Sequence, residues 1–152
     1  MTRRLVIAGL LSASGVLAAG AAQSEPTLEG VLSAKGLSGF VTLDRLPMPD
    51  HPVLQTGRLV WEDTCMGCHG GNKATGAPKI TATKKWQPRI AKGLPTLIDH
   101  ATNGFVGKTY AEMPPRGANP DLSDSDVAAA VTFMVWASGG ADQVLGFLAK
   151  KE

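Results

Sequence analysis

Two cysteines and a histidine stand together in the segment CMGCH, residues 65 to 69, and the chain has no other cysteine. The thiols lie three positions apart, and an imidazole follows the second thiol directly. Three kinds of chemistry use this spacing: a disulfide redox pair, a zinc site, and covalent attachment of a haem. In the third, both sulfurs become thioethers and the histidine binds the iron.

Haem attachment is the interpretation that uses all three side chains. A thioredoxin-like redox pair is set beside a β-α-β pattern, which the sequence lacks. A zinc site needs four ligands, and the other two histidines, His51 and His100, have no finger-like spacing to the cysteines. Because Cys-x-x-Cys-His occurs once, the sequence predicts one covalent haem c, with thioether bonds at Cys65 and Cys68 and His69 as an axial ligand of its iron.

The other axial ligand decides the function, because a six-coordinate haem transfers electrons and an open one binds small ligands. A methionine thioether is a soft, weak ligand suited to a haem of raised potential. Met113 is the best candidate, since enough chain separates it from His69 to cross the haem edge and return. The prolines that follow it stiffen its loop. The alternatives left open are Met48, His51, His100 and an open site.

Helices must position these groups. The segment PVLQTGRLVWEDTC, residues 52–65, predicts a helix that leads into the motif, with Pro52 in its first turn. Helical spacing places five residues on one side: Val53, Gly57, Val60, Trp61 and Thr64. Gly57 is expected to be a point of close contact, because a glycine inside a helix otherwise costs about 1 kcal/mol.

Further helices are predicted after the motif. The segment LSDSDVAAAVTFMVWASGG, residues 122–140, has Ser123 as N-cap and Asp126 at the third helical position. Its predicted buried stripe is Val127, Val131, Met134 and Val135. Residues 94–103 predict a shorter helix that stops at Gly104. Residues 82–90 predict only a brief turn interrupted at Pro88, and residues 39–46 are the one segment with strand-like alternation.

The chain has the length of one domain, with 152 residues. Aromatic residues make up only 5% of it, so a small domain of this composition needs a cofactor or another staple to complete its core. The basic start MTRR and the apolar residues after it predict a signal peptide, residues 1–22. An uncleaved membrane anchor is the alternative.

The net charge and its distribution limit the classes of partner that are expected. Removal of Arg3 and Arg4 lowers Lys plus Arg from 15 to 13, which equals the 13 Asp plus Glu, so the exported chain is neutral. Neutrality argues against nucleic acid as a partner. The stretch from Lys73 to Lys92 is basic and contains no acidic residue, which favours docking of an acidic redox partner protein; an ordinary solvated surface is the alternative.

The motifs in their order resemble the class I c-type cytochromes, in the cytochrome c5 branch. The segments that carry the resemblance are RLVWEDTCMGCHG, GAPKI, WQPRIAKGLPTLIDHATNG, MPPRG and LSDSDVAAAVTFMVW. The resemblance implies an all-α class I cytochrome c fold, with helices wrapped around one covalently bound haem. It covers residues 54–138, so residues 23–53 are an N-terminal extension that packs on the domain or docks a partner, and residues 139–152 are a C-terminal tail.

The resemblance also implies residue roles. Cys65 and Cys68 would hold the haem, with His69 as proximal and Met113 as distal ligand of the iron. The carbonyl of Pro78 would accept a hydrogen bond from the other nitrogen of His69. Two candidates for the neighbourhood of a haem propionate are Trp86 and Arg89. Gly57 and Trp61 would meet Phe133 or Trp136.

One departure from the branch is visible. Many of its members carry a second cysteine pair after the methionine loop, and this chain has GANPDLS there.

The implied function is transport of single electrons between redox partner proteins in the bacterial periplasm, without enzymatic activity. The sequence shows no nucleophile–base pair, no paired carboxylates in an apolar setting and no phosphate-binding loop. Two other functions stay open. One is a dedicated haem subunit of a periplasmic or membrane-bound dehydrogenase or oxidase, and the other is an open-site haem protein that binds or senses a small ligand.

Overall fold

The structure is a computed structural model that describes residues 24–107 and 111–150. The described part is mainly helical, which confirms the all-α prediction. Its α-helices are α1 (Leu28–Val31), α2 (Pro52–Val60), α3 (Met66–His69), α4 (Thr83–Ile90), α5 (Leu94–Asn103), α6 (Asp124–Trp136) and α7 (Ala141–Leu148). A π-helical turn, Trp61–Cys65, joins α2 to α3 without a break. The predicted signal peptide, residues 1–22, lies outside the described residues.

A short hairpin interrupts the helices between α5 and α6. Its strands are β1 (Phe105–Val106) and β2 (Glu112–Met113), which pair antiparallel with Phe105 opposite Met113. A tight turn, Pro115–Ala118, follows β2. Within the described ranges, no helix has the length and apolarity needed to cross a membrane.

Helices α2 and α6 cross at a glycine. A Cβ on Gly57 would lie 2.0 Å from the backbone oxygen of Ala129, so only a glycine permits this approach. Gly57 therefore contacts the backbone at Ala129. Trp61 does meet Phe133, with 6.2 Å between ring centroids. The expected close contact at Gly57 is confirmed, and the crossing fixes the helix that carries the motif against α6.

The buried side of α2 differs from the prediction. Leu54, Gly57 and Trp61 are buried, whereas Val53 is 37% exposed. Helix α6 has its predicted capping box, in which Ser123 accepts from the Asp126 N–H and Asp126 accepts from the Ser123 N–H. Its predicted stripe is buried, but Ala129, Ala130, Thr132 and Phe133 are buried too. Helix α6 is therefore covered on most of its surface and serves as the central element of the core.

Two predictions on local structure were wrong. Residues 83–90 form a complete helix that contains Pro88. Pro88 is exposed, and the buried Trp86 anchors this helix, so packing outweighs the cost of the proline. Residues 39–46 contain no strand; they form an irregular segment with a 3₁₀ turn, Leu43–Arg45. Val41 and Leu46 are buried by contact with the rest of the domain instead of by a sheet, whereas Phe40 is 45% exposed.

The segments outside the resemblance pack onto the domain. Val31, Val41 and Leu46 of the N-terminal extension are buried, and Val41 and Leu46 belong to the main hydrophobic core. At the other end, residues 139–152, expected to be a tail, contain α7, whose Val144 and Leu148 are buried in the same core. A single hydrophobic core therefore includes both segments.

Candidate haem site

The three residues of the motif lie on one helical segment. Cys65 ends the π-helical turn, and Cys68 and His69 belong to the single turn of α3. Cys65 is half-buried, Cys68 is exposed and His69 is buried. The close crossing of α2 with α6 holds this segment from behind, since the π-helical turn continues α2 directly. The motif therefore directly follows a helix that is packed closely against α6.

The imidazole of His69 has one nitrogen engaged. Its Nδ1 lies 2.9 Å from the carbonyl oxygen of Pro78, which makes Nδ1 the protonated donor and leaves Nε2 as the nitrogen with a lone pair. Burial lowers the pKa of His69. The hydrogen bond to the Pro78 carbonyl partly counteracts this shift, and the nearby positive charge of Arg89 lowers the pKa as well. A neutral imidazole in this tautomer is the form that binds a metal through Nε2.

A cavity with mainly apolar walls opens beside this imidazole. Cys65, His69 and Met113 all line it, and they are joined there by Ala101, Val127, Ala130, Val131 and Met134, among others. Strand β2 brings Met113 to the cavity, and α6 forms much of its wall. The structure thus brings together three of the residues for which the sequence predicted contact with a haem.

The alternative distal ligands lie elsewhere. Met48 is 58% exposed, and it does not line the cavity. His51 caps α2, where its Nδ1 accepts from the Val53 N–H at 3.2 Å. His100 stacks on the ring of Phe105, with centroids 4.1 Å apart. Among these candidates, Met113 alone lines the cavity together with His69.

The propionate candidates lie on the His69 side of the site. The ring of Trp86 is 6.3 Å from that of His69, and its indole N–H donates to the Lys79 carbonyl at 2.9 Å. A propionate would compete with that carbonyl for the only N–H of the ring. Arg89 donates one N–H to the Lys85 carbonyl and has further donors. Neither residue lines the cavity, so their propionate role stays a prediction.

The thiols do not resemble a redox pair. Burial, with smaller contributions from Cys68 and Asp63, raises the pKa of the Cys65 thiol to about 11. A redox-active Cys-x-x-Cys pair depends on a lowered thiol pKa, because the thiolate is the nucleophile. Among the described residues, no group of three or more His, Cys, Asp or Glu side chains is arranged to hold a metal ion.

The donor set fits a haem. A half-buried thiol and an exposed one lie on the helical segment beside the cavity, the imidazole keeps Nε2 available, and a thioether lines the same apolar space. Soft sulfur and neutral imidazole are the axial ligands of low-spin haem iron in electron carriers. The apolar lining suits a porphyrin better than a hydrated ion.

One residue of the site was not predicted. Arg116 lines the cavity after Met113, and it holds the start of α6 by donating to Asp124 Oδ1 at 2.5 Å and to the Leu122 carbonyl at 2.8 Å. Its backbone adopts the left-handed region, with φ of 54°. The signal was present as a basic residue in the methionine loop and an acidic residue in the first turn of α6, but only the fold shows that the two meet.

Comparisons with known proteins agree with this description. The family model described as "Cytochrome C oxidase, cbb3-type, subunit III" matches residues 52–134. Cytochrome c-555 of Prosthecochloris aestuarii is 39% identical over 87 residues, which cover 54% of this chain and 85% of that protein. Cytochrome c-555 of Chlorobaculum tepidum is 38% identical over 79 residues, 52% of this chain and 71% of the relative.

A further relative and one solved structure are similar to the same part of the chain. Cytochrome c-555 of Chlorobaculum thiosulfatiphilum is 37% identical over 79 residues, which cover 52% of this chain and 90% of the relative. A chain in the crystal structure of an electron transfer complex of nitrite reductase with cytochrome c is 30% identical, with a TM-score of 0.47. That match covers 55% of this chain and 94% of the other.

Proposed function

Because this chain belongs to the class I c-type cytochromes, with one covalently bound haem c and a role in electron transfer, we propose that it carries single electrons through an iron held by His69 and Met113. The carrier is proposed to work in the bacterial periplasm and to catalyse no reaction of its own. The observation that carries the proposal is that His69 and Met113 line one apolar cavity together with Cys65.

The haem, when bound, supplies a one-electron change at its iron. The chain's own residues prepare the site for that change. Cys65 and Cys68 would hold the group on the segment that packs against α6, and His69 has Nε2 available because its Nδ1 donates to the Pro78 carbonyl. Met113 offers a soft sulfur, which favours the reduced state and a raised potential.

The walls of the site keep water away. Ala130, Val131 and Met134 of α6 line the cavity with apolar side chains. An environment of low polarity favours the less charged, reduced state of the iron, so this lining acts in the same direction as the thioether. Strand pairing with Phe105 holds Met113 in place, so that its weakly binding thioether would stay positioned during electron exchange.

We propose that the partners dock through the basic residues between Lys73 and Lys92. Exposed amines lie at Lys73, Lys84, Lys85 and Lys92, whereas Lys79 is half-buried with its amine directed at the Leu37 carbonyl. A cluster of this kind steers an acidic partner electrostatically. Replacing Lys84 and Lys85 by Glu is expected to slow reduction of an anionic oxidant such as ferricyanide and to weaken its salt dependence; an unchanged rate contradicts this docking role.

A second candidate function is that of a dedicated haem subunit. It is favoured by the description of the matching family model, which names subunit III of an oxidase. A stable oxidase or dehydrogenase complex that copurifies with the chain at physiological salt would support this function, whereas isolation as a free protein supports the carrier.

The experiment that tests the proposed ligation is an absorption spectrum of the purified, matured protein. A six-coordinate low-spin spectrum in the reduced state and a weak long-wavelength sulfur-to-iron band in the oxidised state are expected. A high-spin spectrum, or rapid binding of carbon monoxide to the reduced protein, would show an open site and would contradict ligation by Met113.

A further inference from the structure

A short segment behind His69 makes a hydrogen bond at each of its residues. We call residues 78–81 the proximal strap. The Pro78 carbonyl accepts from His69 Nδ1, and the Ile80 N–H donates to the His69 carbonyl at 2.8 Å. The Lys79 carbonyl accepts from the indole of Trp86. The strap is therefore hydrogen-bonded to both the side chain and the backbone of His69.

The strap ends in a strained residue. Thr81 is fully buried and has φ of 69°, a region that a β-branched residue avoids because of steric clash. Strain of this kind persists only where the surroundings hold it, and an observed outlier is a reason to look for a function. The surroundings of Thr81 are therefore informative.

Two distant parts of the chain hold Thr81. From one side, its Oγ1 accepts from the Leu37 N–H at 2.9 Å, and its carbonyl accepts from the Ser33 N–H at 3.4 Å. From the other side, its own N–H donates to Oγ of Ser138, a fully buried residue just after α6. Every backbone and side-chain polar group of Thr81 except the hydroxyl proton is thus assigned to a partner.

The N-terminal extension lies directly against the strap. A Cβ on Gly36 would come within 2.9 Å of both the Ala82 nitrogen and Thr81 Oγ1, and 3.1 Å from the Ile80 oxygen. Gly39, in the same segment, has nothing within 4 Å of its ideal Cβ. Both glycines have a positive φ, at 75° and 65°. Of these two glycines, only Gly36 therefore has its Cβ position against the strap.

We propose that residues 33–37 and Ser138 form a clamp on Thr81 that positions the proximal strap and so sets the reduction potential. This gives the N-terminal extension a role inside the chain, and it rests on the proposed ligation by His69. A well-placed Pro78 carbonyl makes the imidazole a more basic ligand, which stabilises the oxidised iron. A loosened clamp weakens that hydrogen bond, so the potential rises. Thr81, Gly36 and Ser138 are positioning residues, since none of them lines the cavity.

The test compares Gly36→Ala with Gly39→Ala in the full-length, matured protein. Both substitutions place a side chain at a left-handed backbone position and cost stability in the same way. Only Gly36→Ala collides with the strap. We expect a raised midpoint potential and faster hydrogen exchange of the Ile80 amide in Gly36→Ala, and an unchanged potential in Gly39→Ala. Equal shifts of potential in the two variants would contradict the clamp.

Ser138→Ala approaches the clamp from the other side and keeps the test decisive where Gly36→Ala fails to mature. Its matched control is Thr132→Ala, which also removes a buried hydroxyl but one that donates to the Ala128 carbonyl within α6. The expected result is a raised potential in Ser138→Ala alone. An unchanged potential, or faster exchange at Ile80 without a shift of potential, would reduce Ser138 to a structural residue and overturn the proposal.

The outcome also separates the clamp from the ligation on which it rests. A wild-type protein without a low-spin spectrum overturns the proposed function. If the wild type has that spectrum and neither Gly36→Ala nor Ser138→Ala changes the potential, the clamp alone is overturned.

Discussion

His69 and Met113 line the same cavity although they belong to different elements, the helical turn that ends the motif and the second strand of a short hairpin. His69 is held by Pro78 through Nδ1, and Met113 is held by pairing with Phe105. Each of the two candidate axial ligands is thus fixed by a partner of its own.

Met113→Ala is expected to remove the sulfur-to-iron band of the oxidised protein and to lower the midpoint potential, because the iron loses a soft ligand that favours its reduced state. Absorption spectroscopy and a redox titration measure both effects. Met48→Ala is the matched control, since Met48 is exposed and lies away from the cavity. A spectrum that survives in Met113→Ala and changes in Met48→Ala would reverse the assignment.

Gly57→Ala is expected to destabilise the protein by about 1–3 kcal/mol, because the new Cβ would lie 2.0 Å from the Ala129 oxygen and force the helices apart. Gly146→Ala, in α7, meets nothing within 4 Å and is expected to stabilise by about 0.5–1 kcal/mol. Denaturant unfolding measures both free energies. Equal effects of the two substitutions would show that the crossing is looser than described.

Asp126 is expected to contribute stability that depends on pH. Hydrogen bonds from Ser123 lower the pKa of this carboxyl below its ordinary value of 3.8. The ionised form is therefore favoured in the folded state, so the contribution is fully present above the unfolded pKa and is lost as the pH falls through the folded one. Unfolding measured from pH 6 down to about pH 2 should show a smaller acid-induced loss in Asp126→Asn than in the wild type. Parallel pH profiles of the two proteins would contradict the capping role.

Trp86→Phe keeps an aromatic ring but removes the N–H that donates to the Lys79 carbonyl. Loss of this bond, which leaves a partly buried carbonyl without its partner, is expected to cost about 1–3 kcal/mol in the free energy of unfolding. Lys85→Ala, which removes an exposed side chain of the same helix, is the control and should change that free energy by less than about 0.5 kcal/mol. A Trp86→Phe protein as stable as the wild type would show that the ring alone anchors α4.

The sequence predicts most reliably what local chemistry determines. The capping box at Ser123 and the stop at Gly104 depend on residues a few positions apart, and both are confirmed. Helix α4 was missed because the local effect of Pro88 is outweighed by the burial of Trp86, which depends on a distant surface.

Contacts between distant parts of the chain could not be predicted from the sequence for the same reason. The burial of Val41 and the hydrogen bond from the Thr81 N–H to Ser138 Oγ bring together segments that no spacing connects. The strand that carries Met113 is two residues long, which is too short to be predicted from alternation of apolar and polar residues. The motif named the donors, but only the fold shows that an imidazole and a thioether line the same cavity.

All the proposed roles require that Cys65 and Cys68 hold a haem covalently, which the mass of the denatured, acid-extracted polypeptide measures. We expect a coloured polypeptide heavier than the processed chain by one haem, and a colourless one at the bare mass when both cysteines are replaced by alanine. A wild-type polypeptide that loses its colour on extraction and has the bare peptide mass would show that no haem is attached.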